Sequence, residues 1–257
     1  ARSSGLLLIN DGDVVRAVQA ATGDPYWPTG QPNDVGVLWE SRDSTLESTD
    51  ELPCRIAGGL CTSDRYYGVL GDTPRWRSRP GLIPQSGSLI ALDLSTGQGR
   101  LDWRVESRDL PESDWLFHGA PAVARGHLPG DDLVVVPLCR PDSQVELAVA
   151  AFFADDGRLA WRRRIGTSAA AAGRPLPETQ LLVQAGLIVA RTLTGVVVAV
   201  DTRHGQIQWA STALVTSPPT LRGSQASLLD ARGGRLVVGS PAPSRTEPPQ
   251  VVGFSLD

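Results

Sequence analysis

One spacing recurs four times along this chain and limits what the chain can fold into. Ala17–Trp27, Ala151–Trp161 and Ala199–Trp209 each carry Ala, then Gly six residues on, then Trp four residues later. A further copy starts at Ala91, reaches Gly97 after the same six residues, and meets its Trp103 two residues late. Each copy follows a short apolar run, such as Gly195–Val200 or Ser88–Leu92. Repetition of one pattern around Gly23, Gly97, Gly157 and Gly205 means a stack of similar supersecondary units, none able to bury its apolar surface alone.

The units are built from strands. In the clearest copy, Leu181–Val183, Gly186–Arg191, Val196–Asp201 and Gln206–Trp209 are apolar or β-branched runs too short for helices. Turn signals separate them, at Thr192–Gly195 and Arg203–Gly205. Glycine suits the tight turn because a positive φ costs least without a Cβ. The Trp on the last strand, at 27, 103, 161 and 209, offers a large apolar plate to the neighbouring unit. A four-stranded antiparallel unit repeated around an axis is a blade of a β-propeller. The expected fold is therefore all-β, with about five blades, some incomplete, in one domain or propeller segment spanning 1–257. Leu6–Trp27 supplies late strands of the first blade, and the stretch from Ser217 to Asp257 supplies early strands of the fifth. That arrangement predicts an arc that does not close on itself.

The pattern Ala199-x-Asp201-x-x-x-Gly205-x-x-x-Trp209 resembles the tryptophan-docking repeat of PQQ-type, quinoprotein-like propellers. Gln19 and Phe153 stand where the repeat has Asp. The resemblance implies one of two activities. The first is a non-catalytic interaction scaffold of a bacterial cell envelope, a subunit or segment of a larger assembly whose partner is a protein or further blades. The alternative is a fragment of a PQQ-dependent oxidoreductase. Enzymes of that class hold quinone and Ca²⁺ near the axis with carboxylates, an Asn and two adjacent cysteines. This chain has no adjacent cysteines, and its two asparagines, Asn10 and Asn33, fall in turn contexts. The expectation is accordingly no cofactor and no catalytic or metal-binding residue. The family also implies an extracytoplasmic location.

Composition removes other classes. All 24 basic residues are arginine, so neither a Schiff-base lysine nor a lysine-bearing phosphate loop exists. A formal net charge of −4 argues against nucleic acid as a partner. No apolar stretch approaches the ~20 residues of a membrane helix. Methionine is absent, so Ala1 reads as the start of a processed product or of a piece of something longer. Gly97-Gln98-Gly99 lacks the third glycine and the helix of a dinucleotide site, and His118, His127 and His204 have no motif partners. Asp131-Asp132 and Asp155-Asp156-Gly157 read as hairpin turns. Arg162–Arg164, on a strand, must alternate between faces.

Recognition on a repeat scaffold belongs to its long loops. Trp39, Trp76 and Trp115 lie in or beside the segments that lengthen the early copies. Arg75, Trp76, Arg77 and Arg79 form an arginine-bracketed tryptophan, the residue types enriched at interface hot spots, and Trp115 sits in a second polar segment. These five residues are the expected partner-binding set, against the alternative that the tryptophans plug gaps between blades. Cys54 and Cys61 flank Ala57–Gly59 and are candidates for a small disulfide loop or for two free thiols.

Overall fold

The computed structural model describes residues 6–10, 15–27, 59–71, 87–95, 99–112, 114–126, 128, 130–141, 144–168, 179–184, 186–192, 196–212, 229–232, 235–240 and 250–255. These residues form five antiparallel sheets, each a meander in chain order. Sheet 1 pairs β1 (Leu6–Asn10) with β2 (Val15–Gln19). Sheet 2 runs β3 (Gly59–Cys61), β4 (Arg65–Leu70), β5 (Ser88–Asp93) and β6 (Arg100–Glu106). In sheet 3, β9 (Leu133–Pro141), β10 (Val145–Phe153) and β11 (Leu159–Ser168) follow a broken first strand, β7 (Leu116–Phe117) and β8 (Ala122–Ala124), both halves pairing with β9. Sheet 4 runs β12 (Gln180–Gln184), β13 (Leu187–Arg191), β14 (Val197–Asp201) and β15 (Ile207–Ser211), and sheet 5 runs β16 (Leu229–Arg232), β17 (Arg235–Ser240) and β18 (Gln250–Ser255). The one helical piece among the described residues is a 3-10 turn at Ser107–Asp109, and none there is long and apolar enough to cross a membrane. The first strands lie side by side, β12 next to β8 and β16. The architecture is that of a β-propeller.

Period-two alternation divides the core between successive sheets. On β10, Ala148, Ala150 and Phe152 face sheet 2, where they join Tyr67, Val69, Leu89 and Ala91. The intervening Leu147, Val149 and Ala151 face sheet 4 and meet Ile188, Ala190, Val198 and Val200. Sheet 1 packs on sheet 2 through Val15 against Tyr66, Leu70, Ile90 and Leu92. A strand buried on both faces needs the unbroken apolar run seen in Leu147–Phe153, because neither face can carry water-seeking groups there.

The third and fourth strands of sheets 2, 3 and 4 share one register. Ala91 pairs with Trp103, Ala151 with Trp161 and Ala199 with Trp209, and in each case the register slips at the next residue. In sheet 2 this places Gly99, not Gly97, at the turn position, four residues before Trp103 as in the other copies. The two extra residues therefore precede the glycine. Gly97 itself lies outside the described residues.

Candidate functional site

Each repeat tryptophan whose neighbour is described reaches forward to the turn glycine of the following sheet. A Cβ on Gly99 would fall 2.2 Å from the Trp27 ring, one on Gly157 2.7 Å from the Trp103 ring, and one on Gly205 2.4 Å from the Trp161 ring. No real side chain tolerates such distances, so the rings lie directly on the backbone. The indole N–H groups are satisfied too: Trp103 Nε1 donates to the Ala154 carbonyl at 2.8 Å, and Trp161 Nε1 to that of Thr202 at 3.1 Å. Both acceptors sit three residues after the motif alanine. Packing between adjacent blades leaves Trp103 buried, at 8% exposure, and Trp27, Trp161 and Trp209 half-buried. One indole face covers glycine while the outer edge stays near solvent.

Arginines add a second set of ties between sheets. Arg65 Nη1 donates to the Ala154 carbonyl at 2.8 Å and to Asp155 Oδ1 at 2.9 Å, while Nη2 stands 3.1 Å from Asp102. Arg163 Nε donates 2.6 Å to the Gly205 carbonyl. Its neighbours point the other way: Arg162 reaches Glu112 and Arg164 reaches Glu146. The alternation expected for this trio on an edge strand is realised, with each cation anchored.

The turns themselves are held by carboxylates where the repeat supplies them. Asp201 accepts from the backbone N–H of His204 at 2.7 Å and of Gln206 at 2.6 Å. Burial alone would raise its carboxyl, but the N–H bonds and the nearby His204 outweigh that and hold it below its ordinary value. In sheet 3 Phe153 replaces this Asp, and Asp156 accepts from the Arg158 N–H at 2.9 Å instead. The backbone of both turns is nonetheless alike, with Gly157 N–H donating to Phe153 and Gly205 N–H to Asp201. His204 projects outward, as a turn residue should.

Trp115 is the one member of the expected partner-binding set that the structure describes, and it is a gap filler. It is 3% exposed and joins the core between sheets 2 and 3. Its ring lies between two guanidiniums, Arg140 at 5.1 Å and Arg162 at 5.0 Å from the centroid. Glu112 ties the group together, accepting from Trp115 Nε1 at 3.2 Å, Arg140 at 3.1 Å and Arg162 at 2.9 Å. Those contacts draw its carboxyl below the ordinary range, the indole bond first and the Arg162 charge next. Glu112 is also the one non-glycine residue with positive φ, 63°, among those described, so the cluster fixes a strained turn. Glu146 extends the network to Arg140 and Arg164. What faces solvent here is charge, not the indole. Sequence reading missed this because Glu112, Arg140 and Arg162 are far apart along the chain.

Arg75, Trp76, Arg77 and Arg79 lie outside the described residues. So does Cys54; Cys61 is an exposed free thiol and Cys139 a buried one, its pKa pushed up by burial. Among the described residues no three His, Cys, Asp or Glu side chains gather as metal ligands would.

The model of the family described as outer membrane protein assembly factor BamB, a PQQ-type propeller repeat family, matches residues 85–247, more than half of the chain. The chain belongs to this family. No curated protein matches it. Similar solved structures include a europium-containing methanol dehydrogenase, 16% identical with a TM-score of 0.49, covering 82% of this chain and 40% of its own. The quinohemoprotein alcohol dehydrogenase of Comamonas testosteroni is 15% identical with a TM-score of 0.49, covering 98% of this chain and 38% of its own. BamB from Moraxella catarrhalis is 14% identical with a TM-score of 0.41, covering 99% of this chain and 74% of its own. The chain thus spans well under half the length of those two dehydrogenases.

Proposed function

We propose that this member of the family is a non-catalytic interaction scaffold, a subunit or segment of a larger extracytoplasmic protein assembly. The observation that carries the reading is the family match, whose model is described for an assembly factor. The use of the described charges supports it. Arg65, Arg162 and Arg163 are each engaged with a neighbouring carbonyl or carboxylate and so serve the framework. The sheets then act as a rigid frame, and recognition falls to the long connections, with Arg75, Trp76, Arg77 and Arg79 as the contact residues.

A photo-crosslinking amino acid at position 76, compared with the same group at the well-exposed Leu128, tests this in the native envelope. The expected result is a discrete protein adduct from position 76 and none from position 128. Equal labelling at both positions contradicts the contact role. Quinone-dependent alcohol oxidation after incubation with PQQ and Ca²⁺ would replace the scaffold reading with the oxidoreductase one.

A further inference from the structure

The face that sheet 4 turns toward sheet 5 carries Val189, Val197 and Ala199, each almost wholly buried, and one cation, Arg191. Arg191 ends β13, directly opposite Val197. The corresponding position is Val69 in sheet 2, opposite Leu89, and Pro137 in sheet 3, opposite Val149. Two interfaces therefore fill the position with an apolar residue, and the third fills it with a guanidinium that is only 4% exposed.

Elsewhere the described arginines of these interfaces are satisfied: Arg65, Arg162 and Arg163 all hold carbonyls or carboxylates. Among the described residues Arg191 Nε has no hydrogen-bond partner, and none supplies a counter-charge. Burial acts alone on this group and draws its pKa down. A buried, uncompensated charge is among the costliest features a fold can contain. Solvent is close: Gln180, paired with Arg191 across β12 and β13, is exposed.

We propose that Arg191 is the recognition group of an oxyanion site at the junction of sheets 4 and 5, binding a carboxylate or phosphate through its planar fork of N–H donors. Two N–H groups of a guanidinium match two oxygens of such an anion, and the apolar walls of Val189 and Val197 strengthen the attraction by excluding water. The inference is independent of the scaffold reading, since either a free metabolite anion or a partner protein's carboxylate would satisfy the same geometry.

The test is thermal unfolding of the parent chain and of Arg191→Met at constant ionic strength, with four probes. These are succinate, inorganic phosphate, and a tetra-alanine peptide with either a free C-terminal carboxylate or an amide. Without probe, Arg191→Met is expected to melt at or above the parent, because the substitution removes an uncompensated charge. At saturation, a binding probe is expected to raise the parent melting temperature by about 5–10 °C and to leave the variant unmoved. A response to succinate or phosphate identifies a free anion as the ligand; a response confined to the free-acid peptide identifies a chain terminus. A variant that melts below the parent or fails to fold shows that the guanidinium is structurally paired, and overturns the proposal. Equal shifts in both proteins, or no shift with any probe, also overturn it, the first being general salt stabilisation.

Discussion

At Gly157 the Trp103 ring lies where a side chain would begin, whereas at Gly23, with nearly the same backbone, a Cβ would meet nothing within 4 Å. The two φ values are 71° and 76°, so both turns require the left-handed region that glycine enters freely. The difference is therefore in packing alone. Gly157 serves the turn and seats a tryptophan; Gly23 serves the turn only. The surroundings follow suit. The face of sheet 3 below Gly157 is sealed by Val134, Val136 and Phe152, while β1 exposes Leu7 at 53% and Ile9 at 43% on the face away from sheet 2. One sequence motif thus produces a locked interface in one place and an unloaded turn in another, depending on whether a ring arrives from the preceding sheet.

Deleting the ring breaks the comparison most severely. Trp103→Ala should cost about 3–5 kcal/mol in urea denaturation, since it empties the seat and strips the Ala154 carbonyl of a donor. Arg65→Met removes the second tie across the same interface. Its expected cost is about 1–2 kcal/mol, moderated by partial exposure of the ion pairs with Asp102 and Asp155. At the other extreme, Leu7→Thr with Ile9→Thr should change stability by under about 0.5 kcal/mol, because those side chains already meet water.

Acid should sharpen the contrast between the turns. Asp201, Asp93 and Glu112 bind their protons more weakly in the folded chain than an ordinary carboxyl does. Their contribution is complete above the unfolded value of roughly 4 and is lost as pH falls through the lower folded values. The melting temperature should therefore decline below about pH 5. In Asp201→Asn part of that decline should disappear, together with some stability at neutral pH.

The fold was legible because its code is local. Short apolar runs, a turn glycine and a tryptophan at fixed spacing gave the strands, the sheets and the fact of their stacking, though not its direction. The count failed only at Gly97, because Gly97-Gln98-Gly99 offers two glycines and spacing from the alanine selects the wrong one. The site was less legible because it is not local. Trp115 looked like a surface residue amid Asp and Glu, yet two arginines from β9 and β11 enclose it. Arg191 ends an apolar run and carries no motif; only the register against Val69 and Pro137 makes it anomalous.

The most direct test of the seating account is to add the missing methyl at both glycines and compare. Gly157→Ala and Gly23→Ala carry the same backbone strain, about 1 kcal/mol each. The account predicts that chemical denaturation finds Gly157→Ala worse than Gly23→Ala by at least about 1–3 kcal/mol, the usual cost of overpacking. Equal losses at the two positions would contradict it, since the Trp103 ring would then not be resting on Gly157.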